Sequence, residues 1–344
     1  MRNVYSIEID NVSRIFKLDR TARKDIGKEL IALNKINLQV HPGEIIGLLG
    51  PNGAGKTTCI RILCTLLLPT TGCAYIEGMD LVKDVWKVRR VINMVSGGET
   101  CGYGILTARE NLRLFTELYG IPWRTAKPRI ENMLKVVGLD KFRGSRVNKL
   151  STGMRQRLNF ARGFTTDPKV LFLDEPTVGL DVLSARQIRS FIKQWIADNN
   201  EKTILLTTHY MAEADELCDR IAIINKGKIQ AFDTPFALKK LVQKDTTLDL
   251  TISGLEPFPE SWRQITGITS LTTSQKVEEQ ATYVHALLSD LEASGELIRM
   301  VTSDGRRLVG LETVQPTLED VFLKLTGRSL LNDDNTAPLR VQES

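Results

Sequence analysis

Apolar residues come in short, dense runs through the first two thirds of the chain, at Ile45 to Leu49, Val170 to Leu173, Thr203 to Leu206 and Ile221 to Ile224. Runs of this length, bracketed by Gly, Pro and charged residues, predict strands buried on both faces, as in a parallel sheet covered by helices. Between them, apolar positions recur at three and four over Thr57 to Leu68, Glu110 to Tyr119, Met154 to Phe164 and Ser184 to Ala197, which predicts helices. The fold class is therefore α/β with a mainly parallel sheet. From Thr107 to about Phe164 the strand signals stop, and Leu112, Phe115, Leu118, Ile130, Met133, Leu134 and Val137 keep helical spacing. This predicts a helical subdomain, about 105–165, inserted between core strands.

Beyond Phe236 the pattern changes. Thr247 to Ser253 alternates as a strand, Glu256 to Pro259 interrupts it, and a helical run is predicted near Tyr283 to Glu292. Ser303-Asp304-Gly305 then predicts a hairpin turn between Glu296 to Thr302 and Arg307 to Leu311. The expected organisation is a core domain over 1–240, a small α+β domain over 241–328 and a disordered tail over 329–344.

Composition narrows the function classes. A chain of 344 residues with 42% hydrophobic and 25% charged side chains is an ordinary globular chain with room for two domains, not a collagen-like or disulfide-scaffold sequence. No apolar stretch approaches the roughly 20 residues that span a bilayer, and Met1 to Asp10 lacks the apolar core of a secretory signal, so the expected place is the cytoplasm. Cys59, Cys64, Cys73, Cys101 and Cys218 show no paired spacing and only three histidines are present, so a zinc site is not expected. A net charge of +5 with 6% aromatics gives no footprint for nucleic acid.

The candidate chemistry begins at Gly50-Pro51-Asn52-Gly53-Ala54-Gly55-Lys56-Thr57, which fits GxxxxGK[ST] directly after a strand and before a helix. Glycines let the backbone curl so that successive N–H groups face phosphate oxygens, and the following helix adds its positive end. Lys56 would reach the β- and γ-phosphates and Thr57 would ligate Mg²⁺. Val170 to Leu173 ends in Asp174 and Glu175, whose side chains leave a strand on opposite sides. Asp174 suits the Mg²⁺ shell, and Glu175 the water that attacks the γ-phosphate. These two pieces alone still admit a GTPase, a kinase or a recombinase.

Leu150-Ser151-Thr152-Gly153-Met154-Arg155-Gln156-Arg157, shortly before the acidic strand, resembles the signature sequence of ATP-binding cassette (ABC) ATPases. Gly179-Leu180-Asp181 matches the family's D-loop and His209 its switch histidine. The resemblance covers about residues 5–240. Pro316 to Leu323 looks like the closing segment of cassettes serving ABC-2-type exporters of drugs, lipids or polysaccharides. The resemblance implies an ATPase with ATP and Mg²⁺ as cofactors, Glu175 and His209 as catalytic residues, and Thr57 and Asp174 on the metal. It further implies nucleotide contacts from Phe16, which would stack on adenine, Gly50, Pro51, Asn52, Gly53, Ala54, Gly55, Lys56, Thr57, Thr58, Ser151, Gly153 and Asp181. Two cassettes, as a homodimer or heterodimer, would sandwich ATP head to tail. They would drive separate integral-membrane permease subunits from the inner face of the cell membrane. The alternative is a soluble ABC ATPase acting on ribosomes or DNA, though such members usually fuse two cassettes or insert a long coiled coil.

Two positions depart from the family pattern. Thr152 stands where the signature usually has glycine, and Gly98 where a glutamine usually touches Mg²⁺ and water. Glu99 is the candidate replacement. Another carboxylate beside Asp174 and a triphosphate costs repulsion, so Glu99 is expected to face the membrane subunits or a basic partner rather than the metal. The basic stretch Lys17 to Glu29 reads as a solvated loop, or as a contact with an anionic membrane face.

Overall fold

The computed structural model describes residues 5–17, 29–97, 102–242, 246–255, 259, 262, 265–276, 279–289, 292–303, 306–314 and 316–327. Gly98, Glu99, most of the basic stretch and the tail lie outside them. The chain divides into two compact units, 1–232 and 233–344.

In the first unit, β1 (Ile7–Lys17), β2 (Glu29–Val40), β4 (Thr71–Ile76) and β5 (Met79–Asp80) form an antiparallel sheet in the order β2-β1-β4-β5. A second sheet has the order β10-β9-β3-β8-β7-β6, built from β3 (Ile45–Leu49), β6 (Ile92–Ser96), β7 (Val170–Asp174), β8 (Thr203–Thr208), β9 (Arg220–Asn225) and β10 (Lys228–Asp233). Its neighbours from β9 through β6 run parallel. Every residue of β3, β7 and β8 is buried, which is why these strands read as unbroken apolar runs.

Helix α1 (Lys56–Leu63) leaves β3 through the loop at 50–55 and buries Cys59, Ile60, Ile62 and Leu63 in a cluster shared by both sheets. The sequence extends this helix to Leu68. It stops at Leu63 because the chain turns at Thr65, which has φ 58°. After α2 (Val85–Val91) come α3 (Ala108–Leu118), α4 (Trp123–Val136) and α5 (Thr152–Thr165), the helices expected between β6 and β7. Thr107 and Glu110 close a capping box on α3, and Ser151 caps α5 by accepting the Met154 N–H at 3.2 Å. The unit is completed by α6 (Val182–Ala197), capped by Asp181, and α7 (Met211–Leu217).

The second unit starts ahead of α8 (Pro235–Lys240) and has the sheet order β12-β13-β11-β14, with β11 (Thr246–Ser253), β12 (Ile268–Lys276), β13 (Ala281–Leu288) and β14 (Leu308–Val314). All neighbours are antiparallel. Helix α9 (Glu292–Ser303) carries the chain from β13 across β11 to β14, and α10 (Leu318–Thr326) follows. This is a split βαβ arrangement. Leu248, Leu250, Ile252, Val284, Ala286 and Leu288 pack against Ala293, Leu297 and Val301 of α9.

Two expectations are corrected in this unit. Residues 281–288 form a strand rather than a helix; Leu287 is buried along with Ala286 and Leu288, so burial on both faces removes the alternation that marks a strand. The segment after it is a helix, with Ala293, Leu297 and Val301 spaced by four on its buried side. The turn expected at Ser303-Asp304-Gly305 falls mostly on residues outside the described ones, and the described segments to either side of it are α9 and β14 rather than two strands. Among the described residues, no helix is long and apolar enough to cross a membrane.

Candidate ATP site

The loop at 50–55 is fixed by close backbone approach. Gly55 has φ 108°, and a Cβ there would lie 2.5 Å from the Ala32 carbonyl oxygen, so only glycine fits. The Gly227 N–H donates to the Ala54 carbonyl at 2.9 Å and ties the loop to the turn between β9 and β10. Lys56 opens α1 and is 6% exposed. Its Nζ donates to the carbonyls of Gly50 at 2.6 Å and Pro51 at 3.0 Å, curling the ammonium over its own loop. Burial lowers the Lys56 pKa, and the charges of Glu175 and Asp174 pull it back up.

β7 delivers the two acids. Asp174 is buried, and its Oδ1 accepts from the Thr57 hydroxyl at 3.4 Å and from the Thr207 hydroxyl. Glu175 sits in the left-handed region with φ 53°, a conformation that costs a non-glycine residue roughly 1–3 kcal/mol. The bend holds because the Gly97 N–H donates to the Asp174 carbonyl at 2.7 Å. A Cβ at Gly97 would come within 2.5 Å of the Glu175 carbonyl oxygen, so the strand end of β6 and the bend of β7 fit only with glycine there. The bend brings Glu175 Oε1 to 3.0 Å from His209 Nδ1 and 3.9 Å from Lys56 Nζ. The hydrogen bond from His209 outweighs partial burial and, with the nearby positive charges, holds the Glu175 carboxyl below its ordinary range.

Lys56, Thr57, Asp174, Glu175 and His209 thus form one contiguous cluster at the carboxyl ends of β3, β7 and β8. The other expected residues have their contacts elsewhere. Phe16 lies on β1 under the Arg14 guanidinium at 4.5 Å, Ser151 and Gly153 open α5, and Asp181 accepts from the Ser184 N–H at 2.9 Å. Asn52, Gly53 and Thr57 are exposed and Thr58 half-buried on the loop and the start of α1. Thr152 is exposed, and its hydroxyl accepts from Arg155 at 3.2 Å.

Several residues escaped sequence reasoning. Thr207 touches both acids, and Glu213 on α7 accepts from Thr177 Oγ1 at 2.8 Å, just past the bend. Burial raises the Glu213 pKa, and hydrogen bonding to Thr208 and Thr177 opposes it. Gln156 donates to the Val178 carbonyl at 2.8 Å, linking α5 to the turn before Asp181. The available signal was a polar residue inside an apolar stretch, Thr207 in β8 and Glu213 on the buried side of α7.

Residues 33–178 match the ABC transporter family. The daunorubicin resistance ATP-binding protein DrrA2 of Streptomyces coeruleorubidus is 36% identical over 304 residues, 88% of this chain and 92% of that protein. The chain belongs to the ABC transporter family. Another ABC relative, the linearmycin resistance ATP-binding protein LnrL of Bacillus subtilis, is 34% identical over 90% of this chain and 97% of its own length. A solved ATP-binding subunit of an ABC transporter is similar with TM-score 0.61 and 27% identity, over 68% of this chain and 92% of that one. A dimeric cassette in a post-hydrolysis state, bound to ADP and Pi, is similar with TM-score 0.59 and 26% identity, over 66% of this chain and 98% of that one. This ABC chain is an ATP-binding and ATP-hydrolysing cassette.

Proposed function

We propose that this ABC ATPase powers an ABC-2-type exporter from the cytoplasmic face of the membrane, docked on separate permease subunits. Two cassettes pair head to tail, and each ATP lies between the loop of one and Ser151 and Gly153 of the other. ATP-driven closure and reopening then act as a two-state switch on the membrane subunits. The observation that carries this reading is the contiguous cluster of Lys56, Thr57, Asp174, Glu175 and His209. Relatives that match 88% and 90% of the chain are named for drug resistance, which favours export over work on ribosomes or DNA. The dimeric cassette among the similar structures supports the pairing.

Within that reading, Phe16 stacks on adenine, the N–H groups over residues 50–58 cradle the phosphates, and Lys56 adds a positive charge next to them. Thr57 and Asp174 fit Mg²⁺, because a hydroxyl and a buried carboxylate oxygen, 3.4 Å apart, are the hard donors that ion takes together with phosphate oxygens. Bound there, Mg²⁺ would neutralise charge on the phosphates. Glu175, ionised at neutral pH, orients the attacking water and accepts its proton, and His209 fixes the carboxylate. Asp181, at the cap of α6, stands next to the paired cassette.

Glu175→Gln tests the assignment. ATP affinity should stay within about twofold while turnover falls by about 10²- to 10⁴-fold, the usual worth of a positioned base. Light scattering should then find an ATP-dependent dimer. Turnover preserved in this variant, with no such dimer, rejects the role of Glu175.

A further inference from the structure

Asp174 and Glu175 are neighbours in sequence with separate roles, so something must hold two differently aimed carboxylates at once. We infer that Thr207 is the positioning residue for both acids; this rests on the roles proposed above for Asp174 and Glu175. In the parallel register of β7 and β8, Thr207 lies directly beside Asp174. Its side chain is fully buried.

The hydroxyl uses its donor and an acceptor site on different partners. Its proton goes to Asp174 Oδ1, and its oxygen accepts the Glu175 N–H at 3.2 Å. The Thr207 carbonyl takes the same N–H at 3.1 Å. One residue therefore sets the direction of the Asp174 carboxylate and pins the left-handed backbone of Glu175. A hydroxyl has one proton and two lone pairs, so this double use is within its capacity. The β-branched side chain restricts χ1 and keeps the oxygen aimed at both partners.

Thr57 cannot replace it. Its hydroxyl reaches the same Asp174 oxygen at only 3.4 Å, from an exposed position at the start of α1. An oxygen from Thr57 engaged with a cation would be drawn away from the carboxylate, and Thr207 would remain as the donor that orients Asp174. Thr207→Val keeps the shape and removes both hydrogen bonds. Thr207→Ser keeps the hydroxyl.

The test measures binding of a fluorescent ATP analogue with EDTA and with Mg²⁺, in the non-hydrolysing Glu175→Gln background, beside turnover in the native background. Thr207→Val should leave the affinity in EDTA within about twofold and cut the metal-dependent gain in affinity about tenfold, as expected for one lost hydrogen bond to a charged group. The Mg²⁺ concentration giving half-maximal turnover should rise by a similar factor, and Thr207→Ser should restore both. Should Thr207→Val fail to fold, Thr207→Ala carries the same comparison. A metal-dependent gain unchanged in Thr207→Val, or a Ser variant as impaired as the Val variant, overturns the inference. Asp174→Asn separates the two levels. If it leaves the metal-dependent gain intact, the role of Asp174 falls and this inference with it; if it abolishes the gain while Thr207→Val does not, the inference alone falls.

Discussion

Each unit holds one histidine against carboxylates, and the two arrangements differ in how many ring nitrogens the carboxylates engage. In the first unit His209 engages Glu175 through Nδ1, on a backbone held in the left-handed region, and the carboxylate is a quarter exposed. In the second, His285 uses both ring nitrogens: Nδ1 meets Asp249 of β11, and Nε2 lies 2.7 Å from Asp320 of α10. Asp320 is fully buried and also accepts from the Thr317 N–H at 2.7 Å and hydroxyl at 2.9 Å, completing the capping box of α10. The Asp320 bond raises the His285 pKa to about 9 despite burial, with Asp249 adding to it. Burial opposes the charge on Asp320, but the bonds from His285 and Thr317 outweigh it and hold the carboxyl below its usual range. A carboxylate on a strained backbone that holds one ring nitrogen can still serve a new partner, whereas an imidazole bonded at both nitrogens, one of them to a buried carboxylate, is committed to the fold.

The sharpest way to break this comparison is to remove each imidazole. His209→Ala should lower turnover by about 10²-fold or more through misplacement of Glu175, with little change in melting temperature. His285→Ala should do the reverse. It leaves Asp320 buried without its cation and should lower the stability of the second unit by about 2–4 kcal/mol, read as lost hydrogen-exchange protection in β13 and α10, with basal turnover within about twofold. Similar effects of both variants on stability would erase the distinction.

A smaller effect follows from pH. Because the folded-state pKa of His285 lies above the ordinary 6.5, its contribution is complete below pH 6.5 and is lost as pH rises through about 9. The depressed Asp320 contributes above the ordinary carboxylate range and loses that share toward acid. Urea midpoints for the second unit should therefore fall between pH 7 and 10, by up to about 3 kcal/mol in stability, and His285→Ala should flatten the alkaline limb. An alkaline limb unchanged in that variant would assign the loss to another group.

The core sheet was legible because strands buried on both faces advertise themselves, and the loop motif because phosphate cradling needs glycine at fixed spacing. The second unit was less so. Leu287 breaks the alternation of β13, and only the spacing of Ala293, Leu297 and Val301 marks α9. His285 and Asp320 lie far apart in sequence and carry no local pattern. In the site, Lys56, Asp174 and Glu175 sit on a motif and an acid-ended strand, whereas Thr207 gains its place only through the register of β7 and β8. Contacts set by pairing between distant strands leave no periodic trace.

The left-handed backbone of Glu175 also bears on how this protein responds to engineering. Glycine adopts that conformation freely and asparagine visits it more readily than most residues, so both relax the bend. With Glu175 in the role proposed above, directed evolution that rewards heat resistance alone would enrich Gly or Asn at position 175 and drift toward cassettes that fold better and turn over more slowly. A thermostabilisation campaign on this chain needs an activity gate at that codon.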